Sequence, residues 1–236
     1  MKPVKTLLSA AAIIFSFIAV KAQTADEIIS KHVDAIGGKD KLSQVTSMVT
    51  ELSVNAMGND NPATATILVG KGYKSVTEFN GQQMVQVITD KGGWVINPFQ
   101  GGTDAQAMPD EQYKSSENLI YPDPFVDYAA HGDKAELQGT EGDDYKVVLT
   151  NKDGVATTYL INKNTYLLSK LSRNVNMMGN DVEMTMTFSD YKDTDFGNKV
   201  AYTTEMAYGS MFSMTMTVKK VTVNAPVDPT IFDMPK

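Results

Sequence analysis

Glu183-Met184-Thr185-Met186-Thr187-Phe188 and Phe212-Ser213-Met214-Thr215-Met216-Thr217-Val218 are the two stretches that decide the reading of this chain. In each, a thioether or a ring alternates with a small or polar residue. A period of two places every second side chain on the same face of a β-strand. Between them, Tyr202, Met206 and Tyr208 share one parity. The alternation therefore predicts a sheet face carrying Met184, Met186, Phe188, Tyr202, Met206, Tyr208, Phe212, Met214 and Met216. Met48, Leu52 and Val54 of an early strand extend it. A β core normally favours Val, Ile and Leu. Methionine is flexible and polarizable, and it suits surfaces that adapt to variable apolar shapes. Two readings follow: a lining for an apolar ligand, or a methionine-rich core that fills its own space.

The N-terminus reads as an export signal over residues 1–22. Lys2 and Lys5 form a short basic region, residues 7–20 are apolar, and Val20-Lys21-Ala22 fits a small-residue cleavage site. The apolar run is short for a membrane span. Residues 23–236 are expected to form one domain that is soluble and periplasmic. The chain has no cysteine, so a hydrophobic core, not a disulfide, must hold it, and no thiol is present for chemistry or lipid attachment. Without Lys2, Lys5 and Lys21, 18 basic residues face 28 acidic ones, a net charge of −10. That balance argues against nucleic acid and against charge-driven docking on an anionic membrane.

Thr24 and Glu27 form a capping-box pair, and Ile28, Ile29, His32, Val33 and Ile36 share one helical face. Gly37-Gly38 ends that helix, and residues 39–44 add a further turn. Strands are expected over 45–57, 63–70, 73–79, 84–89 and 94–97. Turns are expected at 58–62, 70–72, 80–81 and 91–93, of which Asn80-Gly81 is the strongest hairpin signal. A helical insertion follows. Pro109 opens one helix at its first position, Asp123-Pro124 opens a second, and Gly132 closes it. A second run of strands covers 135–139, 145–150, 155–162, 166–175, 182–191, 199–209 and 212–223. The fold class is mainly β with helices (α+β): an unclosed antiparallel β-barrel of about 11–12 strands with helices over its concave face, since a sheet of that size must curl.

This pattern resembles the outer-membrane lipoprotein carrier family, the LolA-like fold of lipoprotein-sorting proteins, over nearly the whole mature chain. The resemblance rests on the opening helix over 25–38, Trp94 to Pro98 before the insertion, and the hairpin from Tyr159 to Leu168. It rests also on Phe188 to Tyr191 followed by Asp195 to Asn198, and on the ending from Val223 to Pro235. It implies an unclosed barrel that binds lipid or lipoprotein acyl chains, works in outer-membrane biogenesis, and meets a donor or acceptor complex at a membrane. Carriers of the best-known type use an arginine on an early strand to hold the helical lid and the cargo. Here residues 45–57 contain none, and Arg173 is the sole arginine of the chain.

No catalytic pattern competes with that reading. His32 lies on the apolar face of the first helix and reads as packing or capping, and His131 ends a short helix, where a cation is favoured. The two share no metal-ligand spacing. Asp193-Thr194-Asp195-Phe196-Gly197 has the start of a calcium loop, but the twelfth-position acid is replaced by Thr204, so it reads as a solvated hairpin. No phosphate loop or nucleophile elbow is present. The expectation is a monomeric binding protein, not an enzyme, with no metal and no cofactor. A structural or interaction module of the cell envelope with a filled core is the alternative.

Overall fold

The computed structural model describes residues 23–100, 102–177 and 179–235; the expected export signal lies outside them. Helix α1 (Ala25–Ala35) starts where the capping box requires. The Thr24 hydroxyl accepts from the Glu27 N–H at 3.2 Å, and the Glu27 carboxylate accepts from the Thr24 N–H at 3.3 Å. Its buried face is Ala25, Ile28, Ile29, His32 and Val33. Gly37 and Gly38, both at positive φ, turn the chain into the short helix α2 (Lys39–Leu42).

Thirteen strands follow in a single antiparallel sheet: β1 (Ser47–Ala56), β2 (Asn59–Leu68), β3 (Gly72–Phe79), β4 (Gln82–Thr89), β5 (Gly92–Ile96), β6 (Gln106–Ala107), β7 (Lys134–Glu141), β8 (Asp144–Thr150), β9 (Ala156–Asn162), β10 (Leu168–Met177), β11 (Asn180–Asp193), β12 (Lys199–Tyr208) and β13 (Phe212–Val223). The order is β6-β5-β4-β3-β2-β1-β13-β12-β11-β10-β9-β8-β7, so two meanders are joined through the β1–β13 pair. Among the described residues the end strands β6 and β7 pair with no further strand, and the barrel is unclosed. The insertion between β6 and β7 carries helix α3 (Asp110–Ser116) and 3-10 turns at Glu117–Ile120 and Tyr128–His131.

Three local expectations are corrected. The β1–β2 turn is the two residues Met57 and Gly58, at φ 53° and 81°, so residues 59–62 belong to β2 rather than to a long turn. Two positive φ values match the twist of a tight hairpin, and Pro62 is tolerated because β2 is paired there only to β1. Pro109 caps α3 from outside, with extended ψ, instead of opening it. Tyr166 is not in a strand: it sits at φ 56° in the β9–β10 turn, and β10 begins at Leu168.

Alternate residues of β4 go to different covers. Val85 and Val87, with Trp94 of β5, pack under Phe232 of the C-terminal 3-10 turn (Pro229–Phe232) on one face. Ile88 packs with Met108 and Ile120 of the insertion on the other. At the far side of the sheet, α1 and Phe125 cover Val147, Leu149, Tyr159, Ile161 and Leu168.

Candidate functional site: a methionine-rich sheet face beside the helical insertion

Directly paired residues of neighbouring strands point to the same face. The ladder therefore builds crosswise rows. Arg173, Met184, Tyr208 and Phe212 form the first, across β10 to β13. Tyr159, Leu171, Met186, Met206, Met214 and Ala56 form the second. Phe188, Thr204, Met216 and Val54 form the third. Farther along β1, Leu52 lies opposite Val218, and Met48, beyond a bulge between Leu52 and Glu51, lies opposite Val223. The Arg173 guanidinium donates to the Ser115 carbonyl of α3, which fixes this face as the one the insertion crosses.

Most of this face is neither packed solid nor fully open. Met184 and Val54 are buried, whereas Met186, Met206, Tyr208, Phe212, Met214 and Met216 keep part of their surface. The α1 cluster covers the β7–β10 side, taking in Phe188 and Leu171 at its margin, and the insertion covers β3–β5. The methionine rows lie between these covers as a partly exposed apolar strip. Tyr202 lies on β12 two residues before Thr204, beside Lys192. Asp190, at φ 54°, interrupts the alternation of β11, and its carboxylate pairs with exposed Lys192 at 2.7 Å. The Lys192 ammonium sits 4.7 Å from the centre of the Tyr202 ring, while Tyr191 donates its hydroxyl to the Leu168 carbonyl at 2.8 Å. Of two hollows, one lies away from the rows and the other shares Arg173 and Tyr159 with them. A surface recess of about 630 Å³ is lined by Asp34, Gly37, Lys41, Gln44 and Phe196 among others. A hollow of about 40 Å³ sits at the Arg173 end, between α3 and β8–β10.

The covers are held by polar groups that sequence patterns did not single out. Glu117 is buried and accepts from Lys152 at 2.5 Å and from the Asn151 side chain at 3.0 Å, fastening the insertion to the β8–β9 turn. Burial pushes its carboxyl up, against the pull of Lys152. Asp133 is buried, accepts from Asn118 at 2.7 Å, and is likewise pushed up by burial. Both belong to residue types whose burial demands a partner, but nothing in their spacing announces it. Both histidines are structural in their surroundings. His32 is enclosed between Asp123 and the Tyr166 carbonyl, and His131 stacks on Tyr121 with centroids 3.8 Å apart. In the Asp193–Gly197 turn the Thr194 hydroxyl bonds to the Asn198 side chain, and Lys199 pairs with Asp193 at 2.9 Å. Among the described residues no cluster of His, Asp or Glu has the arrangement to hold a metal, and no helix is long and apolar enough to cross a membrane.

No family model and no curated protein sequence matches the chain. Solved structures do. A domain assigned to outer-membrane lipoprotein sorting, from Vibrio parahaemolyticus, superposes with a TM-score of 0.55 at 13% identity, over 88% of this chain and 95% of that one. A LolA superfamily protein from Nitrosomonas europaea gives 0.59 at 12% identity, over 90% and 98%. A DUF1329 family protein from Desulfovibrio piger gives 0.51 at 14% identity, over 89% and 97%. Identities this low carry the architecture, not the activity. A single antiparallel sheet left unclosed, with helices laid across one face, is the LolA-like fold, and that is the fold of this chain.

Proposed function

We propose that this protein is an exported, periplasmic, non-enzymatic carrier that holds the acyl chains of a lipid or lipoprotein on the methionine strip. The observation that carries this reading is the contiguity of Met184, Met186, Met206, Met214, Met216, Phe188, Tyr208 and Phe212 on the face crossed by the insertion, most of them still partly exposed. A filled core would bury those side chains. Burying acyl carbon is worth about 0.8 kcal/mol per methylene, or roughly 12 kcal/mol gross for a chain of about fifteen. Ordering costs reduce that sum substantially. Affinity can thus come from apolar contact, and the adaptability of methionine favours a fit soft enough to release. A carrier acting alone would be monomeric and would meet a donor or acceptor at a membrane.

The test is uptake of a fluorescent fatty acid by the wild type and by a Met186→Asp/Met214→Asp double variant. Circular dichroism checks that the fold is retained. Uptake is expected to be lost in the variant. Equal uptake by both proteins rejects the strip as the binding surface. Native mass spectrometry of the purified wild type should show co-purifying lipid.

A further inference from the structure

Arg173 is the one residue of the strip whose charge is unmatched. It lies in the first crosswise row, directly opposite Met184, with Tyr208 and Phe212 beyond. One terminal nitrogen donates to the neutral carbonyl of Ser115. Among the described residues its buried Nε has no hydrogen-bond partner. Among the described residues no carboxylate pairs with it. Glu117 is engaged by Lys152 and Asn151, and Asp133 is engaged by Asn118 through one of its two oxygens. A half-buried guanidinium with a buried Nε and no counter-charge is costly, and burial pulls its proton affinity down. Such a group is normally matched by an anion.

The space beside it suits one. The hollow of about 40 Å³ is lined by Lys114, Ser115, Asn118, Leu149, Asn151, Val155, Thr157, Tyr159 and Arg173. That lining holds two cationic residues and no acid, in a chain with 28 acidic residues against 21 basic ones. The volume is a few times what one ordered water needs, so it admits a small head group and not a bulky one. Arg173 and Tyr159, which line the hollow, also stand at the ends of the first and second crosswise rows. From Phe212 to Val218 a strand advances by roughly 20 Å at about 3.3 Å per residue.

We propose that the ligand is a single-chain amphiphile with a carboxylate head, the carboxylate held at Arg173 in the hollow under α3 and the chain lying along the methionine rows. This rests on the strip being an acyl-binding surface and adds the class of head group. The recognition is a charge-assisted hydrogen bond in a desolvated place, so it discriminates acid from alcohol at equal chain length.

Competition of hexadecanoate and hexadecanol against a neutral fluorescent apolar probe, at pH 8, tests it. In the wild type the acid should bind about 10-fold or more tightly than the alcohol, the size of one charge-assisted bond. In Arg173→Gln that preference should vanish while alcohol affinity is kept; Arg173→Lys should retain part of it. Equal affinity of acid and alcohol for the wild type overturns the head-group assignment and leaves the strip's role standing. Loss of both ligands in equal proportion by a folded Arg173→Gln variant also overturns it, since Arg173 would then act only by holding α3. Binding of neither ligand by the wild type rejects the strip's role itself. The wild-type comparison decides even if a variant fails to fold.

Discussion

His32 Nε2 lies 3.1 Å from Asp123 Oδ2, and Nδ1 of the same ring lies 2.8 Å from the Tyr166 carbonyl oxygen. A single imidazole thus ties α1 to the insertion and to the β9–β10 turn. The carbonyl can only accept, and an ionised carboxylate can only accept, so the ring must donate from both nitrogens. That is the imidazolium. Burial opposes the charge most strongly, but Asp123 and the Tyr166 carbonyl together outweigh it, and the His32 pKa is raised above its ordinary 6.5.

The sign of the pH effect follows. A raised pKa in the folded state contributes stability that is complete below pH 6.5 and is lost as pH rises through the folded value. Melting temperature should fall between pH 6 and pH 9 in the wild type, and more shallowly in His32→Gln. The variant should cost on the order of 3 kcal/mol at pH 6, since it leaves Asp123 without its counter-charge. Identical pH slopes in the two proteins would refute the pair as the source.

The C-terminal turn closes the opposite face of the sheet. Trp94, the sole tryptophan, donates from its indole N–H to the Phe232 carbonyl at 2.9 Å, and the Phe232 ring covers Gly72. A Cβ on Gly72 would meet that ring at 2.7 Å. Gly72→Ala should cost about 1–3 kcal/mol by overpacking. Phe232→Ala should cost about 3–5 kcal/mol and shift Trp94 emission to longer wavelength. Unchanged emission would mean that this turn does not shield the indole.

Met57 holds φ 53° at the β1–β2 turn and is 86% exposed, so its side chain packs against little. A left-handed conformation costs an ordinary residue about 1–2 kcal/mol, less for asparagine, whose side chain bonds locally. Met57→Asn should therefore stabilise the protein by about 0.5–1 kcal/mol in chemical denaturation. Destabilisation would show that the exposed thioether does something the folded chain needs.

Glu117 and Lys152 form an unequal pair, the first buried and the second largely in solvent. Lys152→Met should be the more harmful change, by on the order of 1–3 kcal/mol at pH 7, because it strands a buried carboxylate. Since burial raises that carboxyl, the variant should recover stability as pH falls toward 4.5. Glu117→Gln, which keeps the bond from Asn151, should be milder. If it proves the costlier of the two, burial is not what governs this carboxyl.

The strands and the first helix were legible because their signals are local. Thr24 and Glu27 cap a helix within four residues, and Met184, Met186 and Phe188 alternate within five. The β1–β2 turn was misplaced because Asn59, Asp60, Asn61 and Pro62 have loop-like composition, whereas pairing to β1 made them strand. Parity does not carry past Asp190, whose positive φ interrupts β11 between Phe188 and Tyr191. The two-residue strand β6 and the clasp at Phe232 carry no periodicity at all.

What the sequence determined by itself was the alternation: which residues share a strand face, where hairpins turn, and that one face is oily. Which cover each face receives was decided only in three dimensions. The reason is distance along the chain. Arg173 meets Ser115 across 58 residues, His32 meets Asp123 across 91, and Trp94 meets Phe232 across 138. Hydrophobic period is a property of neighbours in sequence. A buried charge finds its partner, or lacks one, only once the sheet has curled and the insertion lies across it.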